Sequence, residues 1–348
     1  MIFLTKRLLV RKPKLTSQDI AFYERLWNAP SVMRNVGFPK GLQVNSEVVQ
    51  DILIGQDASP FDQTLVVETR DTHTRIGECK LGRPCGDGIS ITDVKLLPEH
   101  WNKGYGKEIK CALCAYLFSQ TSCTIVEASP AITNIASIKM QEYCTGIKVR
   151  NDIYSFPTYV RSETQNVHSV VYHIHKESWM ERFSQDNSIA LIPVISKITD
   201  PAEKQATCAK ILHQLPAWFG IESATEEYIS HCTDTLFYAL QLNGEMVGFY
   251  AIARHFPAVA EIYVCGIIPR FHRIGLGSML QNHVEQELRK NKTKYITVKT
   301  LSPRHPSEEY ARTREFYLAC GFEPLEEFPT LWGESNPCLM LIKRLVWS

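Results

Sequence analysis

The feature that most constrains this chain is a glycine-punctuated loop that occurs twice. Residues 269–277 read Pro269-x-x-His272-Arg273-x-Gly275-x-Gly277, residues 98–106 read Pro98-x-x-Trp101-Asn102-Lys103-Gly104-Tyr105-Gly106, and the proline and both glycines recur at an offset of 171 residues. Each copy follows a strand-like apolar run, Ile89 to Leu97 or Glu261 to Ile268. Each precedes helical apolar spacing, at Ile109, Leu113, Tyr116 and Leu117 or at Met279, Leu280, Val284 and Leu288. A strand-loop-helix repeated at this separation divides the chain into two similar halves.

A strand that feeds a glycine loop and then a helix leaves backbone N–H groups unpaired, with the positive end of the helix dipole behind them. Glycines 275 and 277 let that backbone approach a ligand, and Arg273 adds charge, so the loop reads as an anion cradle. Leu276-Gly277-Ser278-Met279 after the first glycine excludes the lysine-serine ending of a P-loop, and the dinucleotide glycine fingerprint is absent as well.

A chain of 348 residues is long enough for two domains with their own cores. A net charge of +1 argues against nucleic acid as a partner, because phosphate neutralisation needs clustered excess Lys and Arg. No run approaches the length of a membrane span, and MIFLTKRLLVRKPK lacks the apolar core of a secretory signal, so a cytoplasmic location is expected. The eleven cysteines are scattered through apolar patterns, as buried reduced thiols would be. Cys111-x-x-Cys114 has no second pair to complete a ligand set, so no metal is expected.

In order, strands are expected at Thr5–Lys12, Thr64–Glu68, Arg75–Leu81, Ile89–Leu97, Thr124–Ala128 and Val170–Ile174, with a helix from Ser17 carrying Phe22, Leu26 and Trp27. Lys176–Asp186 reads as a polar helical connector. Beyond it come a strand Ile189–Val194, a helix from Asp200-Pro201 towards Leu215, a break at Pro216–Gly220, and a helix Glu222–His231. Asn243-Gly244 marks a hairpin, and Lys294–Leu301, a helix Tyr310–Ala319 and a strand Leu339–Leu345 close the chain. The expected domains are 1–176 and 188–348, joined by a connector at 177–187.

The motif Pro269-x-x-His272-Arg273-x-Gly275-x-Gly277 resembles the acetyl-CoA pyrophosphate loop of the GNAT N-acetyltransferases, although His272 departs from the usual Gln or Arg. Trp101-Asn-Lys-Gly-Tyr-Gly and the opening LTKRLLVRKPKLTSQDIAFYERLWNAPSVMRNVGFP are similar to the Rim-type branch, which modifies protein N-terminal amines. The resemblance implies an α/β chain of two GNAT folds in tandem, each a mostly antiparallel sheet flanked by helices. It implies coenzyme contacts at Ile267, Ile268, His272, Arg273, Ile274, Gly275, Leu276, Gly277 and Ser278. In the first half it implies them at Leu96, Trp101, Asn102, Lys103, Gly104, Tyr105, Gly106 and Lys107, with Asn134 and Ser137 from a later helix.

Acetyl transfer to an amine needs a held thioester, a neutral amine, a stabilised oxyanion and a proton for the departing thiolate. By resemblance, Glu261 is the general base, Tyr317 the acid, and backbone N–H groups near Ile267 hold the acetyl carbonyl. Trp218, Phe219 and Glu222 border the acceptor. In the first half the position of Glu261 is Ser90, Asp93 falls on the opposite strand face unless a bulge intervenes, and Tyr143 is displaced because Gly146 comes late. The second half is therefore expected to be the catalyst. Glu222, Glu226, Glu227, Glu323, Glu326 and Glu327 would suit a small cationic amine such as an aminoglycoside or polyamine. A protein amine acceptor and a non-catalytic acetyl-CoA-binding role stay open, as does the oligomeric state.

Overall fold

The computed structural model describes residues 1–56, 59–154, 164–183, 186 and 189–345. The chain forms two compact units, Met1–Ile192 and Pro193–Ser348. The first contains β1 (Phe3–Leu4), β2 (Leu8–Arg11), α1 (Ser17–Asn28), α2 (Pro30–Met33), α3 (Ser46–Ile54), β3 (Thr64–Thr69), β4 (Arg75–Leu81), β5 (Ile89–Leu96), α4 (Tyr105–Gln120), β6 (Ile125–Ala128), α5 (Ile135–Tyr143), β7 (Ile147–Tyr154), β8 (Val167–His175) and α6 (Lys176–Phe183). The second contains β9 (Pro193–Ile198), α7 (Pro201–Leu212), α8 (Glu222–His231), β10 (Leu236–Leu242), β11 (Glu245–Phe256), β12 (Val259–Ile267), α9 (Leu276–Lys290), β13 (Tyr295–Leu301), α10 (Glu308–Ala319), β14 (Glu323–Phe328) and β15 (Cys338–Arg344).

Each unit is built on one sheet, in the order β1-β2-β3-β4-β5-β6-β8-β7 or β14-β15-β13-β12-β11-β10-β9. Neighbouring strands run antiparallel except at one place in each unit, where β5 lies parallel to β6 and β12 parallel to β13. Those pairs also match in register, since Ile89 faces Ile125 in the first unit and Ala260 faces Ile296 in the second, both displaced by the 171 residues that separate the glycine loops. The repeat read from one loop thus extends through the strand, the loop and the crossover.

The parallel pairs are short. β12 is paired with β13 over Val259–Ile262 and runs on to Ile267 without it, and β5 parts from β6 after Ile91. In β12 the separation follows a bulge: Ala251 faces Val264 while Ile252 faces Ile262, which leaves Tyr263 as the extra residue. β4 and β5 pair from Leu81–Thr92 to Gly77–Leu96 with no such shift.

Several elements differ from the sequence reading. The opening strand is split into β1 and β2. The strand expected at Ile189–Val194 begins at Pro193. Strands β7 and β14 were not foreseen. Both are sheet edges exposed along most of their length, so neither IKVRNDIY nor EPLEEF shows the alternation that a half-buried strand imposes. Within the expected connector 177–187, α6 buries Trp179 in the core of the first unit; Ser184, Gln185 and Asn187 lie outside the described residues.

The opening of the first unit is held by a buried ion cluster. The Arg11 guanidinium donates to both oxygens of Asp19 at 2.7 and 2.8 Å, Arg75 Nε donates to Asp19 Oδ1 at 2.5 Å, and Glu68 binds Arg11 from the other side. Burial alone would push the Asp19 carboxyl up, but hydrogen bonds from Arg11, the Lys14 N–H and Arg75 outweigh it and hold the value at about 2. The depressed value means that this stability is present above the ordinary carboxylate range near 4 and is lost as pH falls through about 2. Asp19→Ala leaves two arginines without that partner and is expected to destabilise the first unit by about 3–5 kcal/mol in urea unfolding at pH 7, with the difference from wild type shrinking below pH 4.

Candidate functional site

Where β12 leaves β13, the free edge of β12 opens a cavity of about 690 Å³. Val264, Cys265, Gly266 and Ile267 form one wall and Val298, Lys299 and Thr300 of β13 form the other. One end is the glycine loop, where His272, Arg273, Gly275, Gly277 and Ser278 line the cavity. Arg273 (φ 62) and Gly275 (φ 86) both take left-handed backbone, which turns the chain into α9 and presents its first N–H groups to the cavity. A Cβ on Gly277 would stand 3.2 Å from the Phe316 ring, so glycine is what keeps the cradle open between α9 and α10. These features fit a diphosphate at the loop, with an extended chain along the unpaired edge of β12.

Several expected contacts serve the loop's own construction. The Ile268 N–H donates to Val247 O at 2.9 Å, and the side chains of Ile268, Ile274 and Leu276 are buried. His272 Nε2 lies 2.5 Å from Ile267 O and so braces the loop against its strand. The first unit repeats this brace, because Trp101 Nε1 donates to Leu96 O at 2.8 Å, at the same two positions of the repeat. A ring N–H at this position explains why histidine and tryptophan interchange here. Around the first loop, Arg7 donates to Lys103 O and lies over the Tyr105 ring, Lys107 lies over Tyr143, and Asn134 caps α5 by accepting from the Ser137 N–H. Asn102 (φ 59) and Gly104 (φ 78) repeat the left-handed pair, and a Cβ on Gly106 would meet Met140.

Tyr317 lies on α10, 3% exposed, with its hydroxyl 3.3 Å from Cys265 Sγ. Both groups line the cavity. Burial, with the Cys265 thiol second, pushes the phenol well above its ordinary value, and burial pushes the thiol up to about 11. Both therefore carry their protons at neutral pH. Trp218 and Phe219 line the cavity too, and their loop is tied to α10 by Trp218 Nε1 donating to Thr313 Oγ1 at 3.0 Å and Tyr310 Oη donating to Trp218 O at 2.8 Å.

The carboxylates are placed differently from the sequence reading. Glu261 is 7% exposed and is not among the residues lining the cavity; Lys299 Nζ lies 2.6 Å from its Oε1 and His255 Nε2 lies 2.5 Å from its Oε2. Glu222, Glu226, Glu227, Glu323, Glu326 and Glu327 are likewise not among the lining residues, where Glu315 is the carboxylate and Arg273, Arg312 and Lys299 are the cations. The far wall is aromatic instead: Tyr228 and Tyr263 meet edge to face at 5.3 Å, with Trp332 nearby in the same lining. Sequence reasoning missed Cys265, Tyr263, Tyr310 and Lys299. Cys265 could have been found two residues before Ile267 on the same strand face, and Tyr310 two helical turns before Tyr317.

Residues 7–144 match an acetyltransferase (GNAT) domain model and residues 208–322 match the acetyltransferase (GNAT) family model, together well over half of the chain. Among solved structures, the chain is similar to a GNAT-family acetyltransferase from Bacillus anthracis, at 18% identity over 51% of this chain and 99% of that one with a TM-score of 0.42. It is similar to spermidine N-acetyltransferase from Vibrio cholerae in complex with CoA and spermine, at 15% identity over 50% and 98% with a TM-score of 0.42. It is also similar to the aminoglycoside 6'-N-acetyltransferase from Enterococcus faecium, at 18% identity over 44% and 98% with a TM-score of 0.36. No curated protein sequence matches the chain. Gly277→Val, which fills the cradle, is expected to weaken coenzyme A binding to the second unit by about tenfold or more with an unchanged far-ultraviolet circular dichroism spectrum, as measured by titration calorimetry.

Proposed function

The chain belongs to the GNAT acetyltransferase family, and from that premise we propose that its second unit moves the acetyl group of acetyl-CoA to a primary amine on a small cationic molecule. The observation that carries this reading is that one cavity takes in the glycine loop, the Trp218–Phe219 break and Tyr317. When bound, acetyl-CoA supplies the activated acetyl group. The backbone N–H groups at Gly275–Ser278 and the positive end of α9 hold its diphosphate, and the exposed Arg273 adds a counter-charge. The unpaired edge of β12 offers peptide groups to an amide-bearing chain, which directs its thioester end towards Cys265 and Tyr317.

Tyr317 holds its proton at Oη and delivers it to the departing sulfur. Its ionisation is pushed above the ordinary range, so the phenol carries its proton at neutral pH and can give it up only as negative charge develops on the sulfur beside it. The acceptor enters at the aromatic wall, where the faces of Tyr228, Tyr263 and Trp332 take an ammonium ion by cation–π attraction. For Glu261 we propose the base role through water: Lys299 holds one oxygen in place, and His255 on the other, with its side chain 54% exposed, links the carboxylate to solvent.

Thiol release from acetyl-CoA with a panel of polyamines, aminoglycosides and peptides tests the reading; coenzyme binding with no release on any amine would identify a binder instead. Tyr317→Phe is expected to lower kcat by about 10²–10⁴-fold with little change in the KM for acetyl-CoA, and a fully active variant would remove the acid role. Glu261→Gln is expected to slow transfer most at pH 7 and to recover as pH rises towards the amine's own value near 10, where free amine no longer depends on a base. A slowing that is constant across that range would leave Glu261 only a packing role.

A further inference from the structure

We propose that the first unit is a second coenzyme site that binds coenzyme A and its acetyl thioester and leaves the thioester intact. The proposal rests on the reading above, that this loop grips the coenzyme diphosphate, and concerns what the first unit does with it.

The gripping part is kept. Gly104 (φ 78, ψ 0) reproduces Gly275 (φ 86, ψ 2), the ring brace recurs, and β5 parts from β6 at the matching residue. Met140 packs towards Gly106 as Phe316 does towards Gly277. That contact fixes how α5 matches α10, and the helix ends confirm the match. The Gly146 N–H donates to Gln141 O at 2.8 Å as the Phe322 N–H donates to Tyr317 O at 3.0 Å, and Thr145 (φ 67) occupies the left-handed turn of Gly321 (φ 83). Gln141 therefore stands where the second unit has its tyrosine.

The reacting groups are changed. A carboxamide hydrogen-bonds a sulfur or a carbonyl but does not give up a proton to a thiolate. Gln141 is 2% exposed, and its Oε1 has no hydrogen-bond partner among the described residues, an acceptor left for a ligand's N–H or S–H to satisfy. The helix's own tyrosine, Tyr143, two residues farther on, is 39% exposed beneath Lys107 and Arg182. On the base side, Ser90 replaces Glu261 and donates to Gly82 O at 2.7 Å. Asp93 is on the other face of a strand paired without a bulge, bound to Lys95, which also pairs with Glu78 at 2.9 Å. Lys95 occupies the place of Gly266, so on the side from which the second unit's acceptor would come the first unit has a cavity of about 500 Å³ lined by the paired charges of Glu78, Asp93 and Lys95. Lys110, in the place of Gln281, is 1% exposed with its ammonium on Thr92 Oγ1 at 2.6 Å.

The test is titration calorimetry of the full chain with acetyl-CoA, alongside thiol release with the amine panel. Wild type is expected to bind two coenzymes per chain. Gly277→Glu, which sets a carboxylate in the second cradle, is expected to leave one binding event and no transfer, and adding Gly106→Glu is expected to remove that event. If Gly277→Glu misfolds, the exposed Ser278→Glu makes the same charge change. Transfer surviving in the Gly277→Glu chain, or a single wild-type event that Gly277→Glu abolishes, overturns this proposal while the second unit's assignment stands. No coenzyme bound by wild type overturns both.

Discussion

Everything at the site depends on two parallel strands that stop pairing. A β-strand inside a sheet spends its N–H and C=O groups on both neighbours, but beyond Ile262 β12 pairs with β11 alone, and its other edge has no strand partner among the described residues because β13 continues with β15. In the second unit a bulge at Tyr263 accompanies the separation; the first unit separates at the matching residue without one. The same divergence makes the cavity and supplies it with backbone hydrogen-bonding groups. It also aims the strand at a loop whose glycines start α9 with its N–H groups facing inwards.

The two units show which parts of this device are separable. The cradle is backbone conformation braced by a ring N–H, and it tolerates tryptophan or histidine in that position. The side chains at the matching positions beyond it differ: Tyr317 against Gln141, and Glu261 against Ser90. The repeat thus keeps main-chain angles at the loop while the side chains beyond it vary.

Electrostatics in the second unit differ from what acidic residue counts suggest. None of the glutamates of α8 or β14 is among the lining residues; tyrosine and tryptophan line that part of the cavity, with Arg273, Lys299, Arg312 and Glu315 also in its lining.

The sequence by itself determined the two-fold repeat, the strand-loop-helix at its centre and the helix carrying Tyr317, because glycine spacing and apolar periodicity are local consequences of backbone geometry. It did not show β7 or β14, since exposed edge strands bury too little to leave a pattern. Three outcomes belonged to the tertiary structure alone. Glu261 is locked between Lys299 and His255, partners 38 and 6 residues away, and no spacing rule encodes that. Gln141, rather than the nearby Tyr143, inherits the place of Tyr317, because helix rotation is set by Met140 packing towards Gly106 and not by residue type. The cavity's aromatic wall is assembled from α8, β12 and the loop after β14, segments brought together only when the sheet closes around its gap.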